Sequence, residues 1–117
     1  MSGPKLPTYR EVVQLPVGYV PPGSEEVARE AEVRPVTGGD EMYIGMSREY
    51  NAAPNDLVYK TLLLSRTVLR IGDHKPVTMN DIQKLHALDV RALEYAVYRL
   101  TYGEDALPEE DPSEPGG

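Results

Sequence analysis

Apolar residues recur at two kinds of spacing along this chain, and the spacing changes near its middle. Residues 57–71 and 88–104 repeat apolar side chains every three or four positions, which is the period of one face of a helix. Residues 27–36 instead alternate between apolar and polar side chains, as in a half-buried strand. The pattern predicts strands in the N-terminal part and helices in the C-terminal part.

The segment 88–104 has the clearest start and end of any predicted helix. Asp89 can cap its first free amides, and Gly103 stands where a glycine commonly ends a helix. Its apolar face consists of Val90, Leu93, Val97 and Leu100. Three tyrosines widen that surface with rings whose hydroxyl groups prefer contact with water: Tyr95, Tyr98 and Tyr102.

The other long helix is predicted over residues 57–71, capped by Asn55 or Asp56 and ended by Gly72. Its apolar side chains cover about half of its circumference, at roughly 100° per residue, and Leu63 falls outside that arc. Such a helix must be covered on more than one side.

Two shorter helices are predicted between and before these segments. One covers residues 41–50, with Asp40 as its cap, and the other covers residues 80–87. Thr78 opens the second, with Asp81 three residues later in the place of the acidic partner of a capping box.

The N-terminal part favours a loose hairpin. Residues 11–15 are a short strand expected to end at Pro16, and residues 27–36 can pair with residues 12–20 across a turn at residues 21–24. A helix over residues 25–33 is the competing interpretation, because Glu, Ala and Arg favour helices. The predicted fold class is α+β, with a short N-terminal β-hairpin-like region packed on a mainly α-helical C-terminal half.

The ends differ in composition from the middle, so we expect a flexible N-terminus over residues 1–10, one small domain over residues 11–104 and a disordered acidic tail over residues 105–117. Residues 104–117 hold six acidic residues and no Lys or Arg, which accounts for most of the net charge of −7. The remainder is nearly neutral and has no basic stripe for nucleic acid. We expect no membrane span either, since no apolar run approaches the roughly 20 residues required, and the N-terminus lacks the apolar core of a signal peptide.

Residues able to perform chemistry are sparse. The chain has no Cys, and neither His74 nor His86 has a second ligand at metal-binding spacing. His74, Asp73 and Ser65 are the residue types of a nucleophilic site, but a surface turn explains the first two equally well. We therefore expect no enzyme activity, no cofactor and no metal.

Three motifs carry a resemblance to known proteins. The first is Leu15-Pro-Val-Gly-Tyr-Val20, the second is Arg29-Glu-Ala-Glu-Val-Arg-Pro-Val-Thr-Gly38 with Glu41, and the third is Asp89-Val-Arg-Ala-Leu93 followed by Tyr98-Arg-Leu-Thr-Tyr-Gly103. Together they resemble the pattern of a family of small proteins from phage tail gene clusters. The chain departs from that pattern at Val33, where the family has Leu, at Tyr102, where it has Phe, and in lacking a C-terminal cysteine cluster that some members carry.

The resemblance implies a non-enzymatic tail assembly chaperone, or a baseplate-associated factor, of contractile phage-like tails and related injection systems. Its implied partner is a tail, baseplate or tape-measure protein, met in the cytoplasm while particles assemble. The alternatives are a structural component retained in the mature baseplate or tail and, more distantly, a small enzyme.

A partner surface can be predicted from the residues themselves. Apolar groups left uncovered on the two long helices are expected to take part in self-association or to bind a partner protein. The residues proposed for this surface are Leu63, Tyr95, Tyr98 and Tyr102. For the tyrosines, the other interpretation is packing within the domain itself.

Overall fold

The computed structural model describes residues 10–103, which form an antiparallel sheet of three strands and five helices. The strands are β1 (Glu11–Tyr19), β2 (Ala28–Val33) and β3 (Val68–Ile71), in the spatial order β1-β2-β3. The helices are α1 (Gly38–Gly45), α2 (Arg48–Ala52), α3 (Asp56–Thr67), α4 (Met79–Lys84) and α5 (Ala87–Tyr102). The predicted α+β class is confirmed. Of the predicted ends, residues 1–9 and the tail 105–117 lie outside the described residues.

The predicted hairpin is present. β1 and β2 pair antiparallel, with Val13 opposite Ala31, and the competing helix over residues 25–33 is wrong. β1 does not end at Pro16 but continues to Tyr19. The register of its pairing with β2 shifts between Gln14 and Tyr19. Pro16 has no N–H group, and it lies in this irregular stretch, where the ladder does not require its donor.

β3 was not predicted. The helix expected over residues 57–71 ends at Thr67, and the last four residues form a strand whose Ile71 lies opposite Ala31 of β2. The β-branched Val68 and Ile71 are buried on one face of the sheet. Pairing with β2 therefore overrides the helical period, and the wide apolar arc seen in the sequence belongs to two elements.

The helix caps differ in part from prediction. Asn55 caps α3, Thr78 caps α4 in a capping box with Asp81, and Gly103 ends α5, all as expected. Asp40 is not a cap: Thr37 caps α1, and Asp40 is the third residue of the helix. Asp89 likewise is the third residue of α5, which His86 caps.

The helix expected over residues 41–50 is in fact two helices. α1 ends at Gly45, a residue that disfavours helix, and Ser47 caps α2 by accepting a hydrogen bond from the backbone N–H of Tyr50.

The core lies between the sheet and the helices, chiefly α5, which packs across β1. The strands contribute the buried side chains of Val13, Leu15, Tyr19, Ala31, Val33, Val68 and Ile71. The helices and the α4 region contribute Leu64, Val77, Ile82, Leu85, Leu93, Ala96 and Val97. The helical phase predicted for α5 is confirmed at Leu93 and Val97, which are both buried.

Truncating the core at its centre should destabilise the domain strongly. Leu93 is fully buried, so Leu93→Ala is expected to lower the free energy of unfolding by about 2–5 kcal/mol. Leu57 is 75% exposed on α3, so Leu57→Ala is the matched control and should change stability by less than about 0.5 kcal/mol. Denaturant titration of the two variants measures both values, and equal losses would contradict this assignment of the core.

Candidate functional site

A groove of about 640 Å³ lies between α3 and α5. It brings together all four residues predicted as a partner surface: Leu63 from α3 and Tyr95, Tyr98 and Tyr102 from α5. The remaining lining residues are Val36, Glu41, Tyr59, Lys60, Leu64, Arg91, Glu94 and Val97. We call this set of twelve residues the tyrosine groove.

The tyrosines of α5 present their rings to solvent along the groove. Tyr95 is 49% exposed and Tyr102 is 57% exposed, so neither is packed into the domain as a core residue. The rings of Tyr98 and Tyr102 lie 4.8 Å apart between centroids and are tilted by 52°. On the opposite wall, the ring of Tyr59 packs edge-on against Tyr50 at 6.1 Å. Exposed aromatic rings beside aliphatic side chains are typical of binding hot spots.

The charges in the groove are of both signs. Arg91 Nη1 lies 2.8 Å from Glu94 Oε1, an exposed pair within one helix that adds little stability. Lys60 and Glu41 form no ion pair within residues 10–103. Burial, and then the nearby Glu41 and Tyr102, raises the pKa of Tyr59, so its hydroxyl remains a donor at neutral pH.

Part of this lining was not predicted from the sequence, although the spacing of residues along the two helices indicates some of it. Arg91, Tyr95, Tyr98 and Tyr102 follow one another at intervals of four, three and four residues, which places Arg91 on the tyrosine face of α5. Tyr59 precedes Leu63 by one helical turn. Val36 and Glu41 come from outside the two long helices, and no local pattern could have placed them here.

A second polar cluster surrounds the buried carboxylate of Asp81. The hydroxyl of Tyr19 donates to Asp81 Oδ1 at 2.7 Å, and His74 Nε2 donates to Oδ2 at 2.9 Å. The backbone N–H and the hydroxyl of Thr78 donate to Oδ2 at 2.9 Å and 3.0 Å. Only 2% of Asp81 is exposed. The cluster joins β1, the β3–α4 loop and α4.

The protonation states in this cluster suit a structural contact. Burial alone would raise the Asp81 pKa, but the hydrogen bonds from Tyr19, Thr78 and His74 outweigh it and lower that pKa to about 2. Burial and the same hydrogen bond raise the pKa of Tyr19 to about 12. A carboxylate with so low a pKa is a weak proton acceptor at neutral pH, where a general base needs a pKa near 7.

The nucleophilic grouping drawn from the sequence does not assemble. His74 bonds to Asp81 rather than to Asp73, and the hydroxyl of Ser65 donates to the backbone carbonyl of Leu62 at 2.7 Å. The side chain of His86 accepts a hydrogen bond from the N–H of Leu88 at the start of α5. The described histidines and Ser65 are therefore engaged in local structure.

Two further aspartates are buried in the same manner. Arg34 holds Asp40 through both terminal nitrogens, each at 2.8 Å, and Arg66 Nε adds a third contact at 3.1 Å. Burial would raise the pKa of Asp40, but the bonds from Arg34 and from the Thr37 amide hold it well below its usual range. The carboxylate of Asp89 accepts the backbone N–H groups of Val17 and Gly18 at 2.8 Å and 2.9 Å.

A comparison with protein-family models, curated proteins and solved structures finds no match for this chain. Within residues 10–103, the His, Asp and Glu side chains form no group of three or more that could hold a metal ion. None of the helices in that range is both long and apolar enough to span a membrane.

The buried aspartates predict that acid weakens the fold. The folded-state pKa values of Asp81 and Asp40 are lowered, so their stabilisation is complete above the ordinary value of 3.8 and is lost as the pH falls from about 4 towards 2. For Asp81 alone the loss is roughly 2 kcal/mol, since one pKa unit corresponds to about 1.4 kcal/mol. Denaturant titrations at pH 7, 4 and 2.5 measure it.

Asp81→Asn is the control for that experiment, because it keeps the size of the side chain and removes its titration. The stability difference between the original chain and Asp81→Asn should shrink as the pH falls through this window. A difference that stays constant from pH 7 to pH 2.5 would contradict the assigned role of the Asp81 charge.

Proposed function

We propose that this chain is a non-enzymatic assembly factor, similar to tail assembly chaperones, that binds a tail, baseplate or tape-measure subunit of a phage or phage-like contractile particle. The tyrosine groove is the binding site in this proposal. Binding takes place in the cytoplasm of the cell in which the particles assemble. Catalysis, a cofactor and nucleic acid have no part in it.

The observation that carries the proposal is the exposure of aromatic rings along a concave, apolar-floored groove. Leu63 supplies half-buried aliphatic surface beside the nearly enclosed side chains of Leu64 and Val97, and the tyrosines of α5 supply rings with hydroxyl donors at the edge. Tyrosine buries a large area at a low cost in side-chain entropy, and it is enriched at binding hot spots. A groove of this composition suits an apolar segment of another protein.

The three motifs support the proposal in a different way, because their residues make hydrogen bonds that hold the domain together. In the first motif, Gly18 and Tyr19 bond to Asp89 and Asp81. In the second, Arg34 bonds to Asp40, whose helix is capped by Thr37. In the third, the hydroxyl of Thr101 accepts the backbone N–H of Val36 at 2.9 Å. The resemblance therefore concerns residues that join distant segments, and the partner is assigned by analogy with the family.

The Tyr19–Asp81–His74 cluster is the group most like an active site, but its chemistry favours a structural role. Asp81 accepts four hydrogen bonds, from Tyr19, His74 and Thr78, and is closed to solvent. Three of these bonds go to Oδ2 and one to Oδ1, and burial keeps a substrate away from the carboxylate. This is the reason for preferring a binding function over the alternative of a small enzyme.

A structural component retained in the mature baseplate or tail would use the same groove. The two roles differ in their outcome: an assembly factor is released, whereas a component stays. Purified mature particles without the chain support the assembly factor, and particles that contain it in fixed stoichiometry favour the retained component.

Removing two rings of the groove should impair particle assembly without unfolding the domain. Tyr95→Ala combined with Tyr98→Ala deletes one ring that is 49% exposed and one that is 36% exposed, and each ring typically contributes at least about 1 kcal/mol at a binding hot spot. We expect a loss of at least about tenfold in the yield of particles, or in the amount of tail subunit captured by the tagged chain. Circular dichroism should still report a folded domain.

Tyr43→Ala is the matched control. Tyr43 is 49% exposed, as Tyr95 is, but it lies on α1 outside the tyrosine groove, where its ring contacts the guanidinium group of Arg66. The control should leave assembly unchanged. Normal assembly by a folded Tyr95→Ala, Tyr98→Ala protein would refute the groove as the binding site.

A further inference from the structure

We propose that, in the absence of a partner subunit, the tyrosine groove is filled by α5 of a second copy of this chain in an antiparallel, two-fold symmetric dimer. The proposal rests on the proposed function in one respect: the dimer keeps the same surface covered until a partner displaces the second copy. The dimer itself follows from the surface of α5.

The exposed face of α5 has the spacing of a helix-pairing seam. Leu88, Arg91, Tyr95, Tyr98 and Tyr102 are separated by three, four, three and four residues. This alternation keeps side chains in line along a helix that packs nearly parallel or antiparallel to another helix. All five are exposed, and Leu88 extends the ridge beyond the groove at the N-terminal end of α5. The seam therefore has no covering element within residues 10–103.

The groove beside this ridge offers the matching depression. Leu63 of α3 and the tyrosines of α5 line opposite sides of it, so a helix seated there contacts both. In a two-fold dimer each copy inserts its own ridge into the groove of the other. The same surface then serves as knob and hole, as an isologous interface requires.

The charges select the antiparallel orientation. Arg91 lies towards the N-terminal end of the ridge, and Tyr102 is the last residue of α5. Glu41 lies towards the Tyr102 end, because the backbone N–H of Val36 bonds to the Thr101 hydroxyl near that end of α5 and Glu41 follows five residues later in the first turn of α1. An antiparallel arrangement places Arg91 beside Glu41 and the ring of Tyr102 of the second copy, where an ion pair and a cation–π contact are both favourable. A parallel arrangement would place the two Arg91 side chains together.

The exposed area fits a dimer that a partner can displace. A buried tyrosine covers about 150–250 Å². Tyr98 is 36% exposed and Tyr102 57%, with Tyr95 between them, so the three residues of both copies would bury on the order of 600 Å². A stable interface needs about 1,200 Å² or more in total. The rings alone bury less than that area. Further buried area comes from the aliphatic groups of Leu63, Leu88, Lys60 and Arg91, and it brings the total closer to about 1,200 Å². We therefore expect dissociation at micromolar rather than nanomolar concentration.

Sedimentation equilibrium of the full chain, from about 1 to 300 μM, tests the dimer. We expect a monomer–dimer equilibrium that Tyr95→Ala weakens by at least about tenfold and that Tyr43→Ala leaves unchanged. Arg91→Glu should weaken it as well. Combining Arg91→Glu with Glu41→Arg should restore it, a rescue that a general loss of folding would not produce. Failure of the rescue in a folded double variant would overturn the assigned pairing.

Disulfide trapping tests the orientation, because the chain contains no cysteine of its own. Arg91→Cys protein mixed with Tyr102→Cys protein should form a disulfide-linked heterodimer in an antiparallel pair. Arg91→Cys protein alone should not crosslink, since its two copies lie at opposite ends of the interface, about 16 Å apart along the helix axis. Crosslinking of Arg91→Cys protein alone would overturn the antiparallel arrangement.

The two proposals fail in different ways. A chain that is monomeric at 300 μM refutes the dimer, and the groove function stands if the tyrosine variants still lose particle assembly. A dimer that the tyrosine variants abolish while particles assemble normally supports the self-pairing and refutes the groove as the partner site.

Discussion

Three buried aspartates, each the third residue of a helix, hold this domain together. Asp40 of α1 binds Arg34 and Arg66, Asp81 of α4 binds Tyr19, and Asp89 of α5 binds two amides of β1. A carboxylate can be buried without a large loss of stability only when hydrogen bonds or an opposite charge compensate for the lost contact with water. Each aspartate therefore requires a particular strand or side chain in a particular place. The apolar core supplies stability, and these three contacts fix how the helices meet the sheet.

The irregular end of β1 illustrates the constraint. Its Val17 and Gly18 amides point to Asp89 instead of entering the ladder, and Tyr19 then reaches Asp81. Gly18 has a φ of +103°, and a Cβ at that position would lie 2.6 Å from Val27 Cγ1, so only glycine fits without a shift. One segment of five residues, Leu15 to Tyr19, thereby connects α4 and α5 to the sheet. The polar groups in these contacts bond to one another inside the domain, whereas the tyrosine rings of α5 lie at the surface.

The sequence was informative where structure depends on neighbouring residues. The hairpin, the caps at Asn55, Thr78 and Gly103, and the apolar face of α5 follow from local spacing, and so does the placement of three tyrosines on one side of that helix. β3 was missed because Val68–Ile71 continues a helical pattern and becomes a strand only by pairing with β2. The cap predictions at Asp40 and Asp89 are wrong for different reasons. Thr37, three residues before Asp40, caps α1, whereas Asp89 bonds to Val17, which is 72 positions away. The groove could be predicted in part, since Leu63 falls outside the apolar arc of its predicted helix and the tyrosines widen the apolar surface of α5. Val36 and Glu41 reach it from other parts of the fold.

The central claim is that buried carboxylates, rather than additional sheet pairing, fix the end of β1. Native-state hydrogen exchange of the Val17 and Gly18 amides, followed by NMR, tests it most directly. These amides should be protected to a degree comparable with Val13 of the β1–β2 ladder, and Asp89→Ala should remove that protection before it affects Val13. Exchange of Val17 and Gly18 in the original chain as fast as that of the exposed Gly23 would contradict the account.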